Sequence, residues 1–283
     1  MMVSTEKLST VTFIKLRDFI YEKSGIFFAE NKLYLLENRV GRRLRALDKE
    51  TYENYLVFIT KGGGNREELN FLYNEITINE TYFFRYSKQL DFFTKQLLPN
   101  LLKECQEQGN NTIRIWSAAS SSGEELYTIG MLIKEEINGA MTNWSFDLQG
   151  TDISKRILEK AQNGCYTKNS FRGEAPTYYK SKYFTIDGNN FRLKDSIKDM
   201  ASFGYLNLND HFKTRSMRDM DFIFCRNVLI YFDEEMKKQV VHALYGVLNH
   251  GGYLFLGEAE SLHGVSSAFK VEHFRGAFVY KKE

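Results

Sequence analysis

Arg226, Asn227 and Tyr231 are the residues of this chain most out of keeping with their surroundings. They follow Asp221-Phe222-Ile223-Phe224-Cys225, an apolar run of strand character, and precede a helix-like stretch that begins only after Phe232. A core strand has no need of a guanidinium and an amide at its exit, because buried polar groups cost free energy unless paired. In a sheet covered by helices, ligands gather just beyond the carboxyl ends of the strands. These three side chains are therefore placed to bind a ligand.

Other strand ends offer matching chemistry. Ser117-Ala118-Ala119-Ser120-Ser121-Ser122-Gly123 separates a first strand, Thr112-Ile113-Arg114-Ile115-Trp116, from its helix. Small residues in such a turn let a ligand approach the backbone, or simply pack tightly. Glu124 and Glu125 open the helix. Carboxylates there complement the helix dipole, and one of them could also hold a ligand's ammonium group. Asp152 follows the second strand, Trp144 to Gly150, and either caps the next helix or accepts ribose hydroxyls. Ser154 already offers a cap, which favours ribose. Asn207 and Leu208 follow another strand end, where an Asn more often serves the turn. There is no GxxxxGK[ST] phosphate loop, and Lys134 lies a full helix away from Gly123. A nucleoside bearing an amino acid, such as S-adenosylmethionine, fits this crevice better than a nucleoside phosphate.

The elements that position these residues fall into two regimes. Residues 9 to about 75 read as helices. Phe13, Leu16, Phe19 and Ile20 share one face, and Tyr34, Leu35, Val40 and Leu44 form a second stripe. Lys61-Gly62-Gly63-Gly64-Asn65 breaks the helical run, and a long amphipathic segment extends from residue 87 to Glu107. After residue 111 strands and helices alternate, beginning with a helix whose face is Leu126, Ile129, Ile133 and Ile137. Residues 165–200 interrupt the rhythm with short aromatic runs around Asp187-Gly188-Asn189-Asn190, which predict an inserted β-hairpin. The alternation resumes through strands ending near Leu206 and at 221–225, a helix from 233 to 249 and the strand Tyr253 to Leu256. Phe269 to Val271 and Ala277 to Tyr280 predict a terminal hairpin. The fold class is α/β, with a largely parallel sheet and helices on both faces.

Composition bounds the partners. Of 283 residues, 43% are hydrophobic and 26% charged, the balance of a globular protein. Basic residues number 38 against 36 acidic, so a whole-surface nucleic-acid binder is disfavoured. The three cysteines are scattered, without CxxC pairs or Cys/His clusters, so neither a disulfide framework nor a metal site is expected. The amino terminus is polar and no apolar run approaches the ~18 residues of a membrane span. The expectation is a cytoplasmic, reduced, monomeric protein with no membrane insertion.

Three long motifs carry a resemblance. Thr77-Ile78-Asn79-Glu80-Thr81-Tyr82-Phe83-Phe84-Arg85, Trp116 through Glu125, and Phe224-Cys225-Arg226-Asn227-Val228-Leu229-Ile230-Tyr231-Phe232 are similar to the CheR chemotaxis-receptor methyltransferases. The likeness covers nearly the whole chain. It implies a small all-α N-terminal domain (1–76), a linker carrying cofactor contacts (77–95) and a Rossmann-like class I methyltransferase sheet (96–283) with a small antiparallel β-subdomain inserted at about 165–200. It implies S-adenosylmethionine as cofactor, S-adenosylhomocysteine as product and receptor glutamates as substrate, giving methyl esters for sensory adaptation. By motif position Asn79, Thr81, Arg85, Ala119, Glu125, Asp152, Asn207, Leu208, Arg226 and Asn227 would contact the cofactor. Arg85 and Tyr231 would border the methyl group and steer the incoming carboxylate. Ser120, Ser122 and Leu126 depart from the usual family residues, and Glu258-Ala259-Glu260 stands where His-Ser-Glu is common; no role is assigned to Glu258.

The chemistry is consistent with that resemblance. A glutamate of reference pKa about 4.3 is already an anionic nucleophile at neutral pH, so methyl transfer needs no general base. In-line placement can remove roughly 7–11 kcal/mol of barrier, which leaves nothing for a His, Cys or Ser constellation to do.

Between Lys32 and Lys49 six basic residues face two acidic ones, and Arg39, Arg42 and Arg43 lie at helical spacings on one face. The resemblance implies that this face docks on the cytoplasmic helical region of chemoreceptors; a solvated surface is the plainer alternative, and nucleic acid a weaker one. Family members that bind a C-terminal receptor pentapeptide by strand addition carry longer hairpin loops than Asp187-Gly188-Asn189-Asn190, so independence of such a tether is expected. A non-catalytic cofactor sensor and a methyltransferase for nucleic acids or small molecules are the competing readings. Intact Arg85, Arg226, Asn227 and Tyr231 favour the enzyme, and the lack of an Asp/Asn-Pro-Pro-Tyr element disfavours the nucleic-acid alternative.

Overall fold

The computed structural model describes residues 7–61, 65–137, 143–173 and 175–283, with the side chains of residues 65, 66 and 137 left aside. The polar amino terminus through residue 6, the glycine break at 62–64 and the Ile137 side chain lie outside the described residues.

Four helices come first: α1 (Thr10–Ser24), α2 (Leu33–Ala46), α3 (Tyr52–Lys61) and α4 (Asn65–Ile76). Ser9 caps α1 by accepting the Thr12 N–H, and Gly25 ends it at φ 75°, a left-handed conformation that glycine adopts freely. Phe13, Leu16 and Ile20 are buried as the periodicity requires, against Leu36, Val40, Leu44, Tyr55 and Leu72. Tyr34 corrects the expected second stripe. It is 57% exposed, and Leu36 fills the core in its place, because the buried face of α2 runs through Leu36, Val40 and Leu44 at steps of four.

The segment from 87 to Glu107 is helical throughout, as α5 (Ser87–Phe92) and α6 (Leu98–Glu107) joined by a π turn over Phe93–Leu97. The wider turn stands just before Pro99, which has no N–H to give and whose ring crowds the carbonyl of Lys95.

The alternating region then follows as β1 (Thr112–Ala118), α7 (Glu124–Ile137), β2 (Ser145–Asp152), α8 (Lys155–Asn163), β3 (Cys165–Thr167), α9 (Thr177–Tyr183), β4 (Phe184–Asp187), β5 (Asn190–Leu193), α10 (Asp195–Lys198), β6 (Ala201–Tyr205), α11 (His211–Thr214), β7 (Met220–Cys225), α12 (Glu234–Val247), β8 (Leu248–Leu256), β9 (Phe269–Phe274) and β10 (Ala277–Lys282). Seven strands form one sheet in the order β6-β2-β1-β7-β8-β10-β9. The first five run parallel and β10 runs antiparallel to both of its neighbours. This is the expected class I methyltransferase sheet. The inserted hairpin, β4 and β5, gains β3 as a third antiparallel strand, so the subdomain is larger than its aromatic runs foretold.

Every residue of β7 is buried. Phe222 and Phe224 pack with Phe93 and Phe255 on one face, while Ile223 and Cys225 join Val240, Val241 and Leu244 of α12 on the other. Such two-sided burial is what a continuous apolar run signals. Phe83, in the linker, enters a separate aromatic core with Tyr166, Phe171 and Phe184, tying the linker to the inserted subdomain.

Candidate active site

Strand β1 lies between β2 and β7: from β1 the chain runs outward through β2 to the edge strand β6, then crosses back to β7 on the other side of β1. A crevice opens at that switch point, where the ligands of open α/β sheets gather. Its floor is built from the carboxyl ends of four strands: Ala119–Ser121 after β1, Asp152 and Ile153 at β2, Leu206–Leu208 after β6, and Arg226–Val228 after β7. The linker residues Thr77–Tyr82 and Arg85 cover it. Ser24, Ile26 and Ile76 of the helical domain close one side, and Tyr231 and Phe232 another. Asn79, Thr81, Arg85, Ala119, Glu125, Asp152, Asn207, Leu208, Arg226, Asn227 and Tyr231 all line this one crevice.

The backbone around it is unusual. Phe84, Tyr86, Ala119, Ser121 and Asn227 have φ of 61°, 63°, 62°, 51° and 62°. Left-handed backbone in residues with a Cβ costs roughly 1–2 kcal/mol each, so the surrounding contacts must hold it. One such contact is visible at Ser121, whose N–H donates to Asp152 Oδ2 at 2.9 Å and whose hydroxyl donates to the Asn79 carbonyl at 3.1 Å.

Arg226 is 7% exposed. Its Nε lies 3.2 Å from Glu125 Oε2 without hydrogen-bond alignment, its Nη2 donates to the Arg85 carbonyl at 2.5 Å, and its guanidinium lies 4.7 Å from the Tyr86 ring centroid. Nη1 of Arg226 and Nε of Arg85 are buried and make no hydrogen bond within the protein. Burial pushes the Arg226 pKa down, with Glu125 opposing. Glu125 faces the crevice and accepts the Ser117 hydroxyl at 2.7 Å. Burial pushes its carboxyl up, while Arg226, Ser117 and Arg85 pull it back. Glu124 plays a different part. It is buried, accepts from Ser122 and Ser170, and joins the first helical turn to the inserted subdomain.

Asp152 accepts the N–H groups of Ser121 and Ser154, both at 2.9 Å, and burial pushes its pKa up to about 6. Ser154 caps α8 through Ile157 N–H, so Asp152 is not that helix's cap. Asn207 donates to the Lys23 carbonyl at 2.7 Å and accepts from Asn209 N–H, which engages its amide at both ends. Burial pushes the Tyr231 phenol up, and Arg39 and Arg85 oppose the shift.

The expected docking stripe needs correction. Arg39, Arg42 and Arg43 do share a face, but that face packs on α4. Arg43 makes a two-pronged ion pair with buried Glu68 at 2.9 and 2.7 Å, and Arg39 donates to the carbonyls of Glu75 and Ile76. Only Arg42, at 63% side-chain exposure, is presented to solvent, and it too reaches Glu75 at 3.2 Å. A buried carboxylate at the right height on the facing helix draws the arginines inward, and the spacing of α2 alone carries no sign of it.

Three residues escaped the sequence reading. Ser117 holds Glu125, and Tyr86 accepts from Asn227 Nδ2 at 2.8 Å while stacking on Arg226. Glu260 accepts the N–H of Asn227 at 2.7 Å. Its available signal was an acid just past a strand end, the same signal that singled out Asp152.

Residues 79–278 match the CheR methyltransferase SAM-binding domain, and residues 12–77 match the CheR methyltransferase all-alpha domain. The chain belongs to the CheR methyltransferase family. It is 34% identical to chemotaxis protein methyltransferase 2 of Vibrio cholerae, covering 97% of this chain and 94% of that protein. It is 36% identical to a chemotaxis protein methyltransferase of Borreliella burgdorferi, covering 88% of each. Chemotaxis protein methyltransferase 1 of Pseudomonas aeruginosa is 32% identical, with 94% of this chain and 95% of that one covered.

The cofactor of this CheR protein is S-adenosylmethionine, and the crevice fits it. A carboxylate facing the crevice suits an ammonium, two guanidiniums with unpaired buried N–H groups suit a carboxylate, and a second carboxylate at the end of β2 suits ribose hydroxyls. Among the described residues, no group of His, Cys, Asp and Glu is arranged to hold a metal ion. No described helix is long and apolar enough to cross a membrane.

Proposed function

We propose that this protein esterifies specific glutamate side chains in the cytoplasmic helical region of chemoreceptors. The observation that carries the reading is a crevice suited to S-adenosylmethionine with Arg85 and Tyr231 lining it. None of the five histidines lines it.

When bound, the cofactor supplies a methyl group on a sulfonium, which an ionised carboxylate takes without a proton transfer. Glu125 holds the ammonium, Arg226 and Asn227 the amino-acid end, and Asp152 the ribose. Asn79, Thr81, Ala119, Asn207 and Leu208 complete the pocket. Arg85 has a buried Nε with no protein partner, and its Nη1 and Nη2 donate to the Glu80 carbonyl and the Tyr86 hydroxyl at 3.0 and 3.3 Å. A guanidinium anchored this way can orient an incoming carboxylate through its remaining donors. Tyr231 supplies a phenol that stays protonated, as its raised pKa requires, and so offers a hydrogen bond in place of a competing negative charge.

Of the basic stripe, Arg42 is the arginine left to meet an acidic receptor helix. The β4–β5 hairpin closes over two residues, with Asp187 paired to Asn190, which supports methylation without a pentapeptide tether. Measurable affinity for a receptor-tail pentapeptide would contradict that last point.

The deciding experiment is transfer of labelled methyl from S-adenosylmethionine to a chemoreceptor cytoplasmic fragment, with Arg85→Ala in parallel. Base-labile label on receptor glutamates, reduced roughly 10²-fold or more in the variant, is the expected result. No transfer to a panel of receptors despite cofactor binding would point instead to a cofactor-binding sensor.

A further inference from the structure

Glu260 lies outside the crevice and is 5% exposed. Among the described residues it has no ion-pair partner; its carboxylate is instead spent on backbone N–H groups. Oε2 accepts Gly257 N–H at 2.7 Å and Asn227 N–H at 2.7 Å, and Oε1 accepts Ile230 N–H at 3.3 Å. A buried carboxylate is costly unless such donors surround it, so this arrangement is a fixed structural device and not a surface accident.

The three donors have one thing in common. Gly257 follows β8, while Asn227 and Ile230 bracket the turn between β7 and Tyr231, so one side chain gathers the ends of two neighbouring strands and the turn that ends at Tyr231. Asn227 is held at φ 62°, a left-handed conformation that asparagine tolerates better than most residues with a Cβ. With the backbone pinned there, Asn227 Nδ2 reaches the Tyr86 hydroxyl at 2.8 Å, and the preceding Arg226 reaches the Arg85 carbonyl at 2.5 Å. The grip on the turn thus continues into the linker that carries Arg85. The space is tight: a Cβ on Gly257 would stand 2.8 Å from both Asn227 Nδ2 and Glu260 Oε2.

We propose that Glu260 is a positioning residue for methyl transfer, acting through backbone contacts that aim Arg226 and Asn227 at the cofactor and Tyr231 at the acceptor carboxylate. The inference rests on the function proposed above for the acceptor, and on the family's cofactor for the rest.

The test compares Glu260→Ala, Glu260→Gln and Gly257→Ala in the full chain. Dissociation constants for S-adenosylhomocysteine come from calorimetry, kcat and KM from a receptor fragment, and folding from circular dichroism. Glu260→Ala is expected to weaken product binding about tenfold or more and to lower kcat by roughly 10²-fold, with KM for the fragment little changed. Glu260→Gln keeps one oxygen for the two short bonds and is expected to recover most of both losses. Gly257→Ala leaves the carboxylate in place but crowds it and Asn227, since Gly257 is not at positive φ and the strain is purely one of space. It should reproduce the Ala pattern, and it carries the test should Glu260→Ala not fold. A folded Glu260→Ala that binds and turns over like wild type would overturn the proposal, as would a Gln variant as damaged as the Ala one, which would assign the effect to charge. If the wild type methylates no receptor fragment, the acceptor reading fails, while the binding constants still decide whether Glu260 positions Arg226 and Asn227.

Discussion

Asp152 shows how burial, not residue type alone, sets what a carboxylate in this crevice can do. Its two oxygens already accept N–H groups, which would ordinarily hold it ionised, yet desolvation outweighs them and pushes the pKa up from 3.8 to about 6. The folded carboxyl therefore binds its proton more tightly than an unfolded one. Ionised Asp152 costs stability above about pH 6, and that cost is relieved as the pH falls from about 6 toward 3.8. Ribose hydroxyls would add donors to the ionised form and offset the cost. Product affinity is thus expected to be flat above neutrality and to fall as the pH drops through about 6, while Asp152→Asn binds more weakly and loses the pH dependence in that window. Calorimetry with S-adenosylhomocysteine from about pH 5 to 8 decides it, and a wild-type affinity constant across that range would remove Asp152 from the ribose site. Asp152, Arg226 and Tyr231 were legible in the sequence because polar residues at strand exits have few structural excuses. Glu260 carried the same signal, an acid just past a strand end, but its role was hidden because its partners are backbone N–H groups whose convergence depends on two strands lying side by side.

At the scale of elements, periodicity told which residues share a face but not what that face meets. The alternation after residue 111, the hairpin at Asp187–Asn190 and the Ser154 cap were all readable, since each rests on local chemistry. The third strand of the inserted subdomain was not, because Cys165–Thr167 is too short to show a period and owes its form to pairing with β5. The same limit explains the arginines of α2. Arg43 lies in a buried pair whose partner Glu68 is 3% exposed and also accepts the Tyr55 hydroxyl at 2.9 Å. Removing one member of such a pair leaves an uncompensated buried charge. Arg43→Ala is expected to lose about 3–5 kcal/mol of unfolding free energy. Arg42→Ala, exposed and singly paired, should change stability by no more than about 0.5 kcal/mol and act on receptor KM alone. Urea unfolding of both variants separates the two roles; equal losses would mean that α2 offers no distinction between a structural and a docking arginine.

The whole molecule is held together across the crevice. Asn207 and Asn209 donate to the carbonyls of Lys23 and Glu22 at the end of α1, and Tyr73 of α4 donates to the same Lys23 carbonyl. Phe27 N–H donates to the Tyr231 carbonyl at 2.9 Å, Tyr21 to Asp233 at 3.1 Å, and Ser154 to Asn74 at 2.7 Å. Gly25 lies so close to α12 that a Cβ there would meet the Met236 side chain at 3.0 Å. These contacts make the helical domain a wall of the crevice, and they are expected to couple the stabilities of the two domains. The sequence supplies a clean probe. Its two tryptophans, Trp116 and Trp144, both belong to the sheet domain, whereas helicity is reported from both domains. Fluorescence and far-ultraviolet circular dichroism are therefore expected to give coincident unfolding transitions, and S-adenosylhomocysteine at about 100 times its dissociation constant should shift both together by about 2.7 kcal/mol. Asn207→Ala removes the amide that faces the crevice and grips α1 at once, so it should separate the two transitions and shrink the ligand's effect on the helical one. Transitions already separate in the wild type would show the helical domain to be an attached module, leaving cofactor binding to the sheet and linker.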